Sequence, residues 1–187
     1  NASRYNVVAV NLSLGDSSFD TMPREGYLTT QFKALTNAGV VVVSASGNSY
    51  AEAQKQGVSY PSSDPYSLSV GAVFASGGTF DGHQGIADTI VKFSQRAATE
   101  SDIFAPGVNI GAAKNGGGAV PMSGTSMASP EVAGMVALAQ QLAGAAVPAT
   151  GVHGVARRKL DHLRQTGVGR GQGLEGKPVR GFRQAVV

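Results

Sequence analysis

Ser123-Gly124-Thr125-Ser126-Met127-Ala128-Ser129-Pro130 runs directly into Glu131-Val132-Ala133-Gly134 and on to Leu142. Small residues present a serine and then give way to an apolar helical pattern. Val132, Met135, Val136, Leu138, Ala139 and Leu142 predict a helix apolar enough to be buried. Ser126 thus opens a helix, where unpaired backbone N–H groups and the positive end of the dipole face outward. A hydroxyl there can attack a carbonyl, with hydrogen-bond donors beside the developing oxyanion. It can equally be a plain helix cap, because small hydroxyls are favoured in that place. Thr125 reads as a packing or capping residue.

Outward from this helix, strand and helix alternate. Residues 6–14 are rich in Val and Leu and read as a buried strand. Residues 23–37 follow with Tyr27, Leu28, Phe32 and Leu35 at helical spacing, Pro23 suited to a first turn and Gly39 to the stop. Residues 40–44, 68–74 and 102–104 are further strands. Residues 108–112 and 119–122 flank Lys114-Asn115-Gly116-Gly117-Gly118, which reads as a hairpin turn. The alternation predicts an α/β fold, a parallel sheet flanked by helices. Residues 143–150 form a small-residue loop, so the domain division is 1–150, then a basic segment 151–187 that completes the same domain.

Composition narrows the classes without choosing among them. A 187-residue chain with 26 glycines is rich in turns and close backbone approaches, about twice the average glycine usage of roughly 7%. Zero cysteines exclude disulfides and thiolate chemistry. No apolar run nears the 18 or so residues of a membrane span. Residues 151–187 hold eight Lys/Arg against Asp161 and Glu175, a charge of +6, which leaves −3 for residues 1–150. The basic segment has Phe182 as its lone aromatic, so a solvated face is favoured over a nucleic-acid surface.

Three blocks, in order, resemble the subtilisin-like serine proteases (subtilases). They are Val8-Ala9-Val10-Asn11-Leu12-Ser13-Leu14-Gly15, Val41-Val42-Val43-Ser44-Ala45-Ser46-Gly47-Asn48, and the run from Ser123 to Gly134. Tyr60-Pro61, Leu68 to Val73, Phe93-Ser94 and Ala105-Pro106-Gly107 match more weakly. The resemblance implies that Ser126 is the nucleophile and that Asn48, otherwise a plain turn residue after Gly47, donates to the oxyanion. It implies that Ser13, Leu14 and Gly15 pair with extended substrate backbone, a form of strand addition to an exposed edge. Ala45, Ser46 and Gly47 would then form the facing wall of the pocket for the residue before the scissile bond, with small side chains leaving the slot open. Glu131 departs from the pattern, since relatives often carry His there. The resemblance points to a cis Tyr60-Pro61 bond, as X–Pro bonds tolerate cis far better than others.

In this family the nucleophile follows an aspartate and then a histidine. The ten residues before Asn11 contain neither. His83 sits in a glycine-rich loop, and His153 and His162 lie past the nucleophile helix, so all three read as solvated surface residues. The expectation is therefore the C-terminal part of a catalytic domain, whose upstream part supplies the base. Alternatively, the chain is a truncated or pseudoprotease fragment that binds peptides without cutting them. The implied partner is a polypeptide substrate, not a nucleic acid, and a secreted or cell-envelope location is expected from the family. No cofactor is required. Structural calcium occurs in relatives, but Asp81 and Asp88 are too sparse to indicate a metal site.

Overall fold

The computed structural model describes residue 2 and residues 4–142. Residues 143–187, with them His153, His162, the basic segment and the expected domain division at 150, lie outside the described residues.

Four parallel strands form the central sheet: β1 (Ala9–Leu12), β2 (Val41–Ala45), β3 (Ser67–Val73) and β6 (Ile103–Pro106), in that spatial order. Two small antiparallel hairpins stand apart from it, β4 (Gly78–Phe80) with β5 (His83–Gly85), and β7 (Ile110–Ala113) with β8 (Ala119–Met122). Helices α1 (Thr29–Asn37), α2 (Tyr50–Ala53) and α3 (Thr125–Leu142) complete the described chain. The α/β architecture expected from the sequence is thus present. Sheet registers place Asn11 opposite Val43, and Val43 opposite Leu68.

Every residue of β2 and β3 is buried, as expected of parallel strands covered on both faces. Val41, Val43, Leu68, Val70 and Ala72 pack with Ala128, Val132 and Val136 of α3, while α1 lies against β2. Serine occupies several of the remaining buried strand positions. Its hydroxyls are satisfied in pairs, Ser67 to Ser44 and Ser62 to Ser69, each at 2.6 Å. The Tyr60-Pro61 bond is cis, in line with the sequence reading.

Two helical expectations need correction. Helix α1 starts at Thr29, not at Pro23. Asp20 and Val58 exchange backbone hydrogen bonds, and the Arg24 N–H donates to the Ser63 carbonyl, so the segment is held open against residues 58–63. The expected stop is present: Gly39 sits at φ +81°. Helix α3 is not buried all round. Ala128, Val132, Val136 and Gln140 recur every fourth residue and face the core, while Met135, Leu138 and Leu142 are 45%, 61% and 88% exposed. The sheet covers one face of α3, and nothing among the described residues covers the other.

Candidate active site

The C-terminal ends of β1 and β2 and the first turn of α3 meet at one edge of the sheet, where open α/β sheets place their ligands. Ser126 is the second residue of α3. Its backbone N–H has no acceptor among the described residues, as is usual for a first helical turn. Its hydroxyl donates to the Ser13 carbonyl over a long 3.4 Å.

The carbonyl of Ser126 has its own partner for a local reason. Pro130 lies four residues on, inside α3, and has no N–H to return the helical bond. The Ser13 hydroxyl donates to the freed Ser126 carbonyl at 2.8 Å and lies 3.1 Å from the Ser129 hydroxyl. Asn11 donates in turn to Ser13 at 2.9 Å. The Ser13 side chain therefore braces the end of β1 to the first turn of α3.

Asn48 follows β2 by three residues. Its Oδ1 accepts from the Thr125 N–H at 2.9 Å and the Thr125 hydroxyl at 3.0 Å, while the Gly47 N–H meets Thr125 Oγ1 at 3.2 Å. A backbone N–H identifies the acceptor end of the amide, so Nδ2 is the free end. A β-carbon at Gly124 would lie 3.3 Å from it. The N–H of Ser126 and the NH₂ of Asn48 are thus two unspent donors at one helix start. Thr125, fully buried, holds the Asn48 carboxamide in place. The sequence showed a small hydroxyl there but not its partner 77 residues away.

Beside these donors opens a cleft of about 230 Å³. Leu14, Gly15, Ala45 and Gly47, four of the residues singled out from sequence, line it. Ser46 does not. It is fully buried and donates to the Gln95 carbonyl at 2.8 Å. Ser59 and Gln95 line the deep end, and neither was singled out from sequence. His83 lies on β5, and no hydrogen bond joins Ser126 to a histidine among the described residues. Glu131 is half-buried on α3, and burial pushes its carboxyl above the usual value.

The loop after Gly15 is anchored by charge. Arg24 pairs with Asp16 and with Asp20, and its guanidinium lies 4.8 Å from the centre of the Tyr60 ring. Asp16 Oδ1 also accepts from the Ser18 and Tyr60 N–H groups at 2.9 and 3.1 Å. Burial pushes the Asp16 carboxyl up, but hydrogen bonds from Ser18 and Arg24 and the Arg24 charge together outweigh it and bring it to about 2. A carboxyl held below its ordinary value stabilises the fold above that ordinary value and loses the effect as pH falls toward 2. Asp16→Asn should therefore lower the melting temperature at neutral pH, with the gap to the parent closing between about pH 4 and pH 2. A gap independent of pH over that window would refute the assignment.

The subtilase family model matches residues 2–174. The chain is 35% identical over 133 residues to subtilisin amylosacchariticus of Bacillus subtilis subsp. amylosacchariticus, covering 71% of this chain and 30% of that protein. It is 34% identical over 142 residues to a thermostable alkaline protease of Halalkalibacterium halodurans, covering 73% and 32%. Among solved structures, a cold adapted subtilisin-like serine proteinase matches with a TM-score of 0.60 at 29% identity, over 80% of this chain and 47% of that one. The self-cleaved protease domain of PatA matches with a TM-score of 0.62 at 28% identity, over 81% and 53%. The chain spans less than a third of the length of the two sequence relatives. Matched over most of its length in sequence and in fold, the chain belongs to the subtilase family of serine proteases.

Proposed function

We propose that this chain carries the nucleophile and oxyanion donors of a serine endopeptidase, completed by the preceding portion of a subtilase domain. A histidine from that portion, oriented by an aspartate, takes the Ser126 proton as Oγ attacks the peptide carbonyl. The Ser126 N–H and Asn48 Nδ2 bind the resulting oxyanion. Its collapse expels the amine, which takes the proton from the imidazolium. Water then hydrolyses the acyl-enzyme. Ser13, Leu14 and Gly15 would align an extended polypeptide, and the cleft beside Gly47 would take the side chain before the scissile bond. No step calls for a cofactor. The observation that carries the reading is the pair of unspent donors at Ser126, one of them pinned by Thr125. The outer edge of β1 and the apolar outer face of α3 fit the proposed partner, the upstream part of the domain.

One observation favours a second reading, a peptide-binding chain without catalysis: the Ser126 hydroxyl bonds to a carbonyl and not to a base. Joining this chain to the Asp- and His-bearing portion of a related subtilase distinguishes the two. The completed domain should react at Ser126 with a fluorophosphonate probe, whereas the chain alone should react little. Asn48→Ala should slow the labelling, because the phosphoryl oxygen occupies the oxyanion position. In subtilisin itself, from which the figure comes, loss of one such donor costs about 10²–10³ in kcat, and a fall of that order is expected. Equal labelling rates with and without Asn48 would leave the oxyanion role unsupported.

A further inference from the structure

The cleft beside Ser126 has two glycine walls, Gly15 and Gly47, yet its deep end is not open. A β-carbon on Gly15 would lie 2.9 Å from Ser59 Cβ, and one on Gly47 would lie 2.1 Å from Gln95 Oε1 and 2.7 Å from Ser59 Oγ. Ser59 and Gln95 therefore rise against the two glycine Cα atoms and fill the space that glycine leaves. Both are 1% exposed, so this floor is fixed and not a surface rotamer.

The floor also has a defined polarity. Gln95 Nε2 spends its donors on two backbone carbonyls, Ser18 at 2.8 Å and Gly57 at 3.4 Å. That orientation turns Oε1 toward Gly47 and Ser59. An amide oxygen has two lone pairs, and this one receives a single long bond, 3.3 Å from the Ser59 hydroxyl. The same hydroxyl is 3.4 Å from the Ser18 carbonyl, so its one proton is divided between two distant acceptors. Ser46 and the Gln95 backbone lock the arrangement, Ser46 Oγ to the Gln95 carbonyl at 2.8 Å and the Gln95 N–H to the Gly47 carbonyl at 2.8 Å.

We propose that Gln95 and Ser59 are specificity-determining residues: they make the pocket shallow and acceptor-floored, selecting a small side chain that donates a hydrogen bond, such as Ser, Thr or Asn, before the scissile bond. A large apolar side chain meets Ser59 sterically. It also closes over the under-bonded Gln95 oxygen without offering it a donor, and leaving a buried acceptor unmet is costly. The inference rests on the cleft being the substrate pocket of the proposed protease.

The test needs no catalysis. Acetyl-Ala-Ala-Ala-Xaa carboxylates with Xaa as Ser, Asn, Leu or Phe are titrated into the completed domain carrying Ser126→Ala and followed by NMR shifts at Gly47 and Gly15. Ser and Asn should bind about tenfold more tightly than Phe. Ser59→Gly should narrow that gap by admitting the larger ring. Ser59→Ala, which keeps the volume and loses the hydroxyl, should weaken Ser and Asn binding while leaving Phe excluded. Binding in which Leu or Phe leads, or a ranking that both Ser59 variants leave unchanged, overturns the specificity assignment. Absence of binding by all four peptides overturns the pocket reading beneath it.

Discussion

Ser126→Ala in the completed domain should abolish peptide hydrolysis and probe labelling together. The substitution removes one oxygen from a part-exposed position whose hydroxyl holds only the long bond to Ser13. The Ser13 hydroxyl bonds to the Ser126 carbonyl, which alanine retains. The fold and the Asn48–Thr125 clamp should therefore survive, and the loss should fall on chemistry. In subtilisin, again the source of the figure, removing the nucleophilic serine costs about 10⁶ in kcat. A loss of that order is expected here, with substrate affinity nearly unchanged. Residual turnover near the parent level would mean another nucleophile and would remove the main support for the protease reading.

Gly57→Ala should produce the largest loss of stability. A β-carbon there would lie 2.3 Å from the carbonyl carbon of Phe19 and 2.6 Å from its Cα and O, all backbone atoms. Gly57 also sits at φ +140° and donates its N–H to the Arg96 carbonyl at 2.9 Å, so the chain cannot retreat without breaking that bond. A cost above about 4 kcal/mol is expected, a large share of the whole stability of a typical domain. Gly39→Ala separates the causes. Gly39 has a positive φ of +81° but nothing within 4 Å of the added carbon, so only the conformational cost of about 1–2 kcal/mol applies. Chemical denaturation of both variants measures the difference. Equal midpoints would show that the contact with Phe19 is not what matters.

The sheet was legible because Val41-Val42-Val43 and Leu68 to Val73 are apolar runs too short for helices and bounded by turn residues. Ser126 was legible because a small-residue loop broke into a helix, and Asn48 because it closed the second matching block. What stayed hidden depends on partners far along the chain. Pro23 carries a sound helix-start signal, but the Asp20–Val58 and Arg24–Ser63 bonds override it. Gln95 and Ser59 enter the cleft from segments 36 residues apart, and neither type has a local pattern that marks a pocket floor. The exposed side of α3 was misread because an all-apolar sequence does not say which of its faces the available strands can cover. Ser46 looked like a wall residue from its place between Ala45 and Gly47, but its hydroxyl turns inward to Gln95.

The Ser13–Ser126 brace spans 113 residues. At roughly 5–20 residues per second of synthesis, the end of β1 leaves the ribosome about 6–23 s before the serine it will hold. Long-range contacts of this kind form late, after the loops between them have closed. Until that contact forms, the end of β1 and the first turn of α3, the two sides of the proposed site, are separate parts of an unfinished chain. Order of synthesis alone thus delays assembly of the proposed site.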